Sequence, residues 1–232
     1  MIVNTIKILH SELPAAVKLV AVSKFHPFEA IEEAYMAGQR IFAESRPQEF
    51  QSKIVRLEQI RVERGEPDYM QDLEWHFIGH LQTNKLKMVL PYVDLVQSVD
   101  SVRLLDAIEG WCQVNDRTVS VLLEPHVAAE ETKQGLDEEE IYSVLKSACD
   151  GSYPHICFKG IMGMATYTDD ESVIRADFNK LQCIHEKCRA DFPGICESFT
   201  ELSIGMSDDY RLAIEYGSTM VRIGSMIFGE RV

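Results

Sequence analysis

Short, dense runs of aliphatic residues alternate with longer amphipathic stretches along almost the whole chain. The runs are rich in Val, Ile and Leu and are too short for helices, which suits strands buried on both faces. They predict strands at Lys18–Ser23, Arg40–Glu44, Glu74–Ile78, Leu95–Ser98, Val119–Leu123, Lys159–Met162, Thr200–Leu202 and Met220–Ile223. The amphipathic stretches predict helices at Phe28–Ala37, Pro47–Arg64, Asn84–Val89, Ser101–Asn115, Glu138–Ala148, Glu171–Ala190 and Asp208–Glu215. Breakers fall where a helix should stop, at Gly38, Gly65-Glu66-Pro67, Pro91, Gly151 to Pro154 and Gly217. Eight strands alternating with helices in 232 residues match an α/β fold of the (β/α)8 TIM-barrel type. An open doubly wound sheet is the rival, but no GxGxxG follows the first strand and no composition break separates two halves. The expectation is a single barrel domain over residues 1–232, with no linker, second domain or low-complexity tract.

In a barrel the strand ends meet on one face and build the site. The residues just past the strands are Lys24, Glu44-Ser45, Gly79-His80, Gly163-Met164, Ile204 to Ser207, and Gly224-Ser225. Lys24 stands out. A lysine where a buried strand gives way to its loop is costly to keep charged, and burial lowers its pKa toward neutrality. A neutral amine can attack an aldehyde and form an imine. The alternative is an ammonium that snorkels to solvent from the strand's end.

Two glycine-serine turns come late in the chain, where strands seven and eight of a barrel lie beside strand one. In Ile204-Gly205-Met206-Ser207, the glycine permits a tight turn and Ser207 stands where a helix would begin. Helix N-termini gather anions, although Ser207 is equally suited to capping that helix. Ile223-Gly224-Ser225 repeats the pattern, and barrels often bind phosphate with the loops after strands seven and eight. Arg222, bracketed by Val221 and Ile223, needs a partner; a bound anion is one, and a core carboxylate such as Glu44 or Glu201 is another. Lysine, phosphate cradle and arginine together describe a site for pyridoxal phosphate.

The formal net charge of −14 and pI near 4.9 argue against non-specific binding to nucleic acid or anionic membranes. The N-terminus lacks the features of a signal peptide and no apolar run reaches membrane-spanning length, so a cytoplasmic protein is expected. Six irregularly spaced cysteines without a CxxC are expected to be free thiols. His76 and His80 fall on a strand running into a glycine turn, which is a poor zinc pair, and no metal is expected.

The motifs of this chain resemble those of the pyridoxal-phosphate homeostasis protein family nearly from end to end. They are AVSKFHP with Lys24, FAESRPQEF from Phe42, WHFIGHLQTNK from Trp75, QSVDS from Gln97, EETKQG from Glu130, KGIMGMAT from Lys159, ELSIGMSDDY from Glu201 and GSTMVRIGSMIFGER from Gly217. The resemblance implies a barrel like the N-terminal domain of alanine racemase (fold type III), carrying pyridoxal 5'-phosphate as an imine on Lys24. It also implies phosphate contacts from Ser207, Gly224 and Ser225, with Arg222 near the pyridine nitrogen or phosphate. Two departures stand out. The family's Phe-Gly-Glu-Asn reads Phe42-Ala43-Glu44-Ser45, and its Val-Asn after strand five reads Pro125-His126.

The same resemblance implies a protein that buffers or delivers the cofactor in vitamin B6 homeostasis, with PLP-dependent apoenzymes as partners and without robust turnover. In alanine racemase a second, β-rich domain supplies a catalytic tyrosine. This chain reads out at Val232 just past strand eight, so the expectation is that this domain, and the dimer interface it carries, is missing, leaving a monomer. The alternative is a weak or specialised enzyme such as an amino-acid racemase working through Lys24, with Tyr167 as a base. A third reading, a sugar-phosphate or nucleotide enzyme on the same barrel, explains the cradle but leaves Lys24 without a role.

Overall fold

In the computed structural model the described residues are 1–127 and 135–229, apart from the side chain of Cys196. Most of the EETKQG motif, Glu130 to Gln134, and the terminal Glu230 and Arg231 lie outside them. The strands are β1 (Lys18–Val22), β2 (Ile41–Glu44), β3 (Glu74–Phe77), β4 (Leu95–Val99), β5 (Val119–Leu123), β6 (Ile156–Met162), β7 (Glu201–Ser203) and β8 (Met220–Ile223). They pair in sequence order, all parallel, and β8 closes on β1 with Arg222 opposite Val20. The barrel is therefore closed and the doubly wound sheet is excluded.

The helices are α1 (Ile2–Glu12), α2 (Phe28–Met36), α3 (Pro47–Arg64), α4 (Leu86–Val89), α5 (Val102–Asn115), α6 (Glu138–Cys149), α7 (Glu171–Asp191), α8 (Pro193–Cys196), α9 (Tyr210–Glu215) and α10 (Ser225–Phe228). Their ends follow local chemistry. Pro47 opens α3 and Gly65, at φ 67°, closes it in the left-handed conformation. Ser101 caps α5, and Asp137 with Glu140 forms a capping box on α6. No helix among the described residues is long and apolar enough to cross a membrane.

Each strand buries both faces. On β1, Leu19 and Ala21 pack outward in the layer between strands and helices, while Val20 and Val22 point into the barrel. The outer layer also holds Phe42, Phe50, Trp75, Leu105, Ile108 and Phe178. The inner apolar set is smaller: Val20, Val22, Ala43, Leu95, Leu122, Met162 and Met220.

Several elements differ from the sequence expectation, the short helices α8 and α10 among them. Helix α1, not among the expected helices, buries Ile6 and Leu9 and packs against α2 and α10. Strand β6 starts at Ile156 rather than Lys159. The helix after β7 begins at Tyr210 rather than Asp208.

Candidate functional site

A cavity of about 850 Å³ opens at the C-terminal ends of β1, β6, β7 and β8. Lys24, Ser207, Arg222, Gly224 and Ser225 all line it, so residues separated by about 200 positions in sequence meet in one place. Val22, Ile78, Met162 and Met164 give it an apolar floor and wall.

The glycine-serine turns form one rim. Gly205 has φ +95°, and a Cβ there would lie 2.6 Å from that of Ala213, so only glycine fits. A Cβ on Gly224 would press on the Val22 carbonyl at 3.1 Å, so the ends of β8 and β1 lie close together. These turns bring two hydroxyls together: Ser225 donates to Ser207 at 3.1 Å. No hydrogen bond among the described residues takes up the backbone N–H of Ser207 or of Ser225. Ser207 does not cap α9, because it lies in the preceding turn and Asp209 occupies the cap position. Asp209 also lines the cavity; its carboxylate accepts the Met206 N–H at 2.5 Å, and burial raises its pKa.

Arg222 is 4% exposed, yet neither Glu44 nor Glu201 neutralises it. Its guanidinium donates to the Ser203 carbonyl (2.6 Å), the Ser203 hydroxyl (2.9 Å) and the Gly163 carbonyl (2.9 Å). Glu44 instead accepts from Lys53, and Glu201 from Lys18. Burial pulls the Arg222 pKa down to about 10, against the opposing pull of Glu124 and Asp209, so it stays a cation at neutral pH. A relay continues across the barrel interior. The Ser203 hydroxyl donates to Gln97 at 2.7 Å, and the Gln97 amide pairs with His76 Nδ1 at 2.8 Å. Burial drops the His76 pKa to about 3, so this ring is neutral and Nδ1 accepts. The three Arg222 bonds leave part of its donor fork uncommitted among the described residues.

Lys24 is half-buried in the turn after β1, less enclosed than its strand-end position implies. Sequence reading missed three features around it. His26 lines the same cavity, stacks on Phe228 at 5.3 Å, and is held below the usual histidine range by burial first and the Lys53 charge second. Phe25 sits at φ 68°, a left-handed conformation rare for a bulky residue. Beneath both lies a buried cluster of Lys53, Glu44 and Glu49. The signal for the last was the i,i+4 pair Glu49–Lys53 on α3, set against the end of a strand that itself closes on a glutamate.

The departures fall elsewhere. Ser45 closes β2 against Gly79, where a Cβ would sit 2.0 Å from the Ser45 carbonyl. The His126 N–H donates to the Leu136 carbonyl, and neither Ser45 nor His126 lines the cavity. His76 and His80 have separate partners, Gln97 and Asp100, and no group of three potential ligands among the described residues could hold a metal ion. Cys112, Cys149, Cys157, Cys183 and Cys188 are free thiols.

A family model for the alanine racemase N-terminal domain matches residues 2–232. The chain belongs to that family. Within the family it is similar to curated proteins named pyridoxal phosphate homeostasis protein. It is 37% identical to the one from Haemophilus influenzae over 93% of this chain and 85% of the relative. It is 36% identical to the one from Aquifex aeolicus over 92% of this chain and 87% of the relative. Among solved structures, PipY of Synechococcus elongatus with PLP bound superposes with a TM-score of 0.85 at 31% identity, covering 99% of this chain and all of PipY. Alanine racemase from Corynebacterium glutamicum shares the fold alone, with a TM-score of 0.68 at 15% identity over 99% of this chain and 60% of the racemase.

Proposed function

We propose that this protein, as one barrel unit over residues 1–232, binds pyridoxal 5'-phosphate in the β1–β7–β8 cavity and serves its homeostasis by holding and delivering it. The observation that carries the reading is the meeting of Lys24, Ser207, Arg222, Gly224 and Ser225 on one cavity. The names of the relatives and the PLP-bound PipY structure support the same cofactor.

The residues present fit the group. Two touching hydroxyls and the N–H groups beside them, uncommitted among the described residues, suit a phosphate. Gly224 lines the cavity without a side chain, which leaves room for the chain to pass close to such a ligand. Arg222 adds a fixed cation with donor capacity left over, and the apolar wall of Val22, Ile78 and Met162 suits an aromatic ring. When bound, pyridoxal phosphate supplies an aldehyde that condenses with an amine and a ring that withdraws electrons. Lys24 is the amine on this wall and takes the role of covalent anchor. Arg222, tied down by Ser203 and Gly163, presents a cation and no transferable carboxyl proton, so it would favour the unprotonated form of a ring nitrogen held beside it.

The reading favours a carrier over an enzyme. Turnover of an amino acid needs a proton donor and acceptor positioned at the reacting carbon in a site closed to water. Tyr167, on the cavity wall, is 94% exposed, so the site beside it is open to solvent. An open cavity serves release to acceptor apoenzymes, and the carrier acts as a monomer.

The test is transfer. Loaded protein mixed with a PLP-dependent apoenzyme restores that enzyme's activity while its own visible band declines, and amino acids alone are not turned over. A racemase or decarboxylase rate that disappears in Lys24→Ala promotes the enzyme reading instead.

A further inference from the structure

Lys24 lies between two residues whose backbones are held from below. Ser23 accepts a hydrogen bond on its carbonyl from Lys53 Nζ at 2.8 Å, and its hydroxyl donates to Glu44 Oε1 at 2.6 Å. Phe25 donates its N–H to Glu49 Oε1 at 2.5 Å. Lys53 ties these anchors together, donating also to Glu44 Oε1 (2.5 Å) and to Glu49 Oε1 (3.0 Å). Two of its three members are enclosed, Glu44 at 0% and Lys53 at 4% exposed, and Glu49 is half-buried. Above it the Arg46 guanidinium lies 4.4 Å from the centre of the Phe25 ring.

Such an arrangement is expensive. Phe25 is one of three described non-glycine residues with positive φ, and its Cβ makes the left-handed conformation unfavourable. Burial pushes the Glu44 carboxyl up against the pull of Lys53, and its Oε2 has no hydrogen-bond partner among the described residues. Buried charge and backbone strain persist together where the surroundings over-determine them, and here they meet under a single turn.

Resting on the cofactor reading above, we infer that Glu49, Lys53 and Glu44 form a positioning cluster that holds the Ser23–Phe25 turn in its strained shape and so aims the Lys24 amine into the cavity. The cluster also settles which of two neighbouring lysines reacts. A lysine attacks an aldehyde through its lone pair, and Lys53 gains one only by giving up a proton and one of its hydrogen bonds to Ser23, Glu44 or Glu49. Lys53 is thereby withheld from the chemistry assigned to Lys24.

The experiment separates aiming from binding by using two ligands on the full-length protein. Pyridoxal 5'-phosphate reports covalent attachment, through the visible band and through borohydride labelling with peptide mapping. Pyridoxine 5'-phosphate, an alcohol that cannot attach, reports the phosphate rim and ring pocket alone. Glu49→Ala is expected to slow attachment about tenfold, the worth of one hydrogen bond to a charged acceptor, while its affinity for pyridoxine 5'-phosphate stays at the wild-type value. Glu49→Gln keeps an oxygen that accepts the Phe25 N–H and is expected to restore most of the rate. Because Lys53→Met alone strands the Glu44 charge, the double variant Glu44→Gln with Lys53→Met tests the hub without that imbalance, and it too slows attachment selectively. In Lys24→Ala no label moves to Lys53. The inference is overturned if Glu49→Ala attaches as fast as wild type, if it loses both ligands equally, if Glu49→Gln fails to rescue, or if Lys53 takes the label. A wild-type protein that takes no label at Lys24 overturns the cofactor reading itself, which is a different result.

Discussion

The two faces of the barrel wall are packed with different chemistry. Outward, toward the helices, lie Leu19, Phe42, Trp75, Leu105 and Phe178, an almost wholly apolar layer. Inward, His76, Gln97, Ser203 and Arg222 sit among a handful of small and aliphatic residues and bond to one another across the interior. The outer layer stabilises by burying area, and any side chain of the right shape serves it. The inner layer keeps a cation beneath the cavity and must satisfy each polar group to do so. The Lys53 cluster is a polar exception in the outer layer, and it holds the turn that carries Lys24.

The largest effect belongs to Arg222→Glu. It places a carboxylate against the Ser203 and Gly163 carbonyls, and an uncompensated buried charge of this kind costs about 3–5 kcal/mol. Urea unfolding should show that loss, and cofactor binding should fall with it, further than in Arg222→Gln. Leu105→Ala, in the outer layer on α5 across the barrel from the cavity, should cost about 2–5 kcal/mol of stability and leave cofactor affinity unchanged. The pair sharpens the contrast: one site couples stability to binding, the other does not. Loss of affinity in Leu105→Ala would erase the distinction.

Changing Ser207 and Ser225 together to Ala should do the reverse, weakening cofactor affinity by about 1.5–3 kcal/mol for each hydroxyl with little change in unfolding. The loss is partial because backbone N–H groups remain. Unaltered affinity would reduce the serines to turn residues.

The effect smallest at neutral pH is a pH slope. His76 takes a proton at about 3 in the folded protein, against an ordinary value of 6.5. Between those values the unfolded chain binds the proton and the folded one does not, so stability is full above pH 6.5 and falls as pH drops toward 3. His76→Gln should flatten that slope. His185 in the outer layer, lowered to about 4 chiefly by burial, adds a similar slope, so the His76 variant removes only part of it.

The strands were legible because a barrel strand buries both faces and writes itself as a dense aliphatic run. Ile156-Cys157-Phe158 escaped because it follows the Gly151–Pro154 breakers directly and carries a cysteine in its middle. Helix α1 escaped because its importance comes from docking on α2 and α10, which periodicity does not encode. That Lys24 and the two glycine-serine turns line one cavity was legible, since strand ends and glycines mark one end of a barrel in the sequence itself. The partners of Arg222 were not. Backbone carbonyls satisfy it, and every residue has one, so no composition signal points to them. The Lys53 cluster stayed hidden for a related reason: its role depends on the contact between α3 and the Ser23–Phe25 turn, which appears only once the chain is folded.

Reduction of the pyridoxal-phosphate-loaded protein with borohydride, followed by peptide mapping, tests the central claim most directly. The account predicts one labelled peptide, the one carrying Lys24, and a yellow band that vanishes on reduction. A label on Lys18 or Lys53, or a protein that stays colourless and unlabelled, would contradict it.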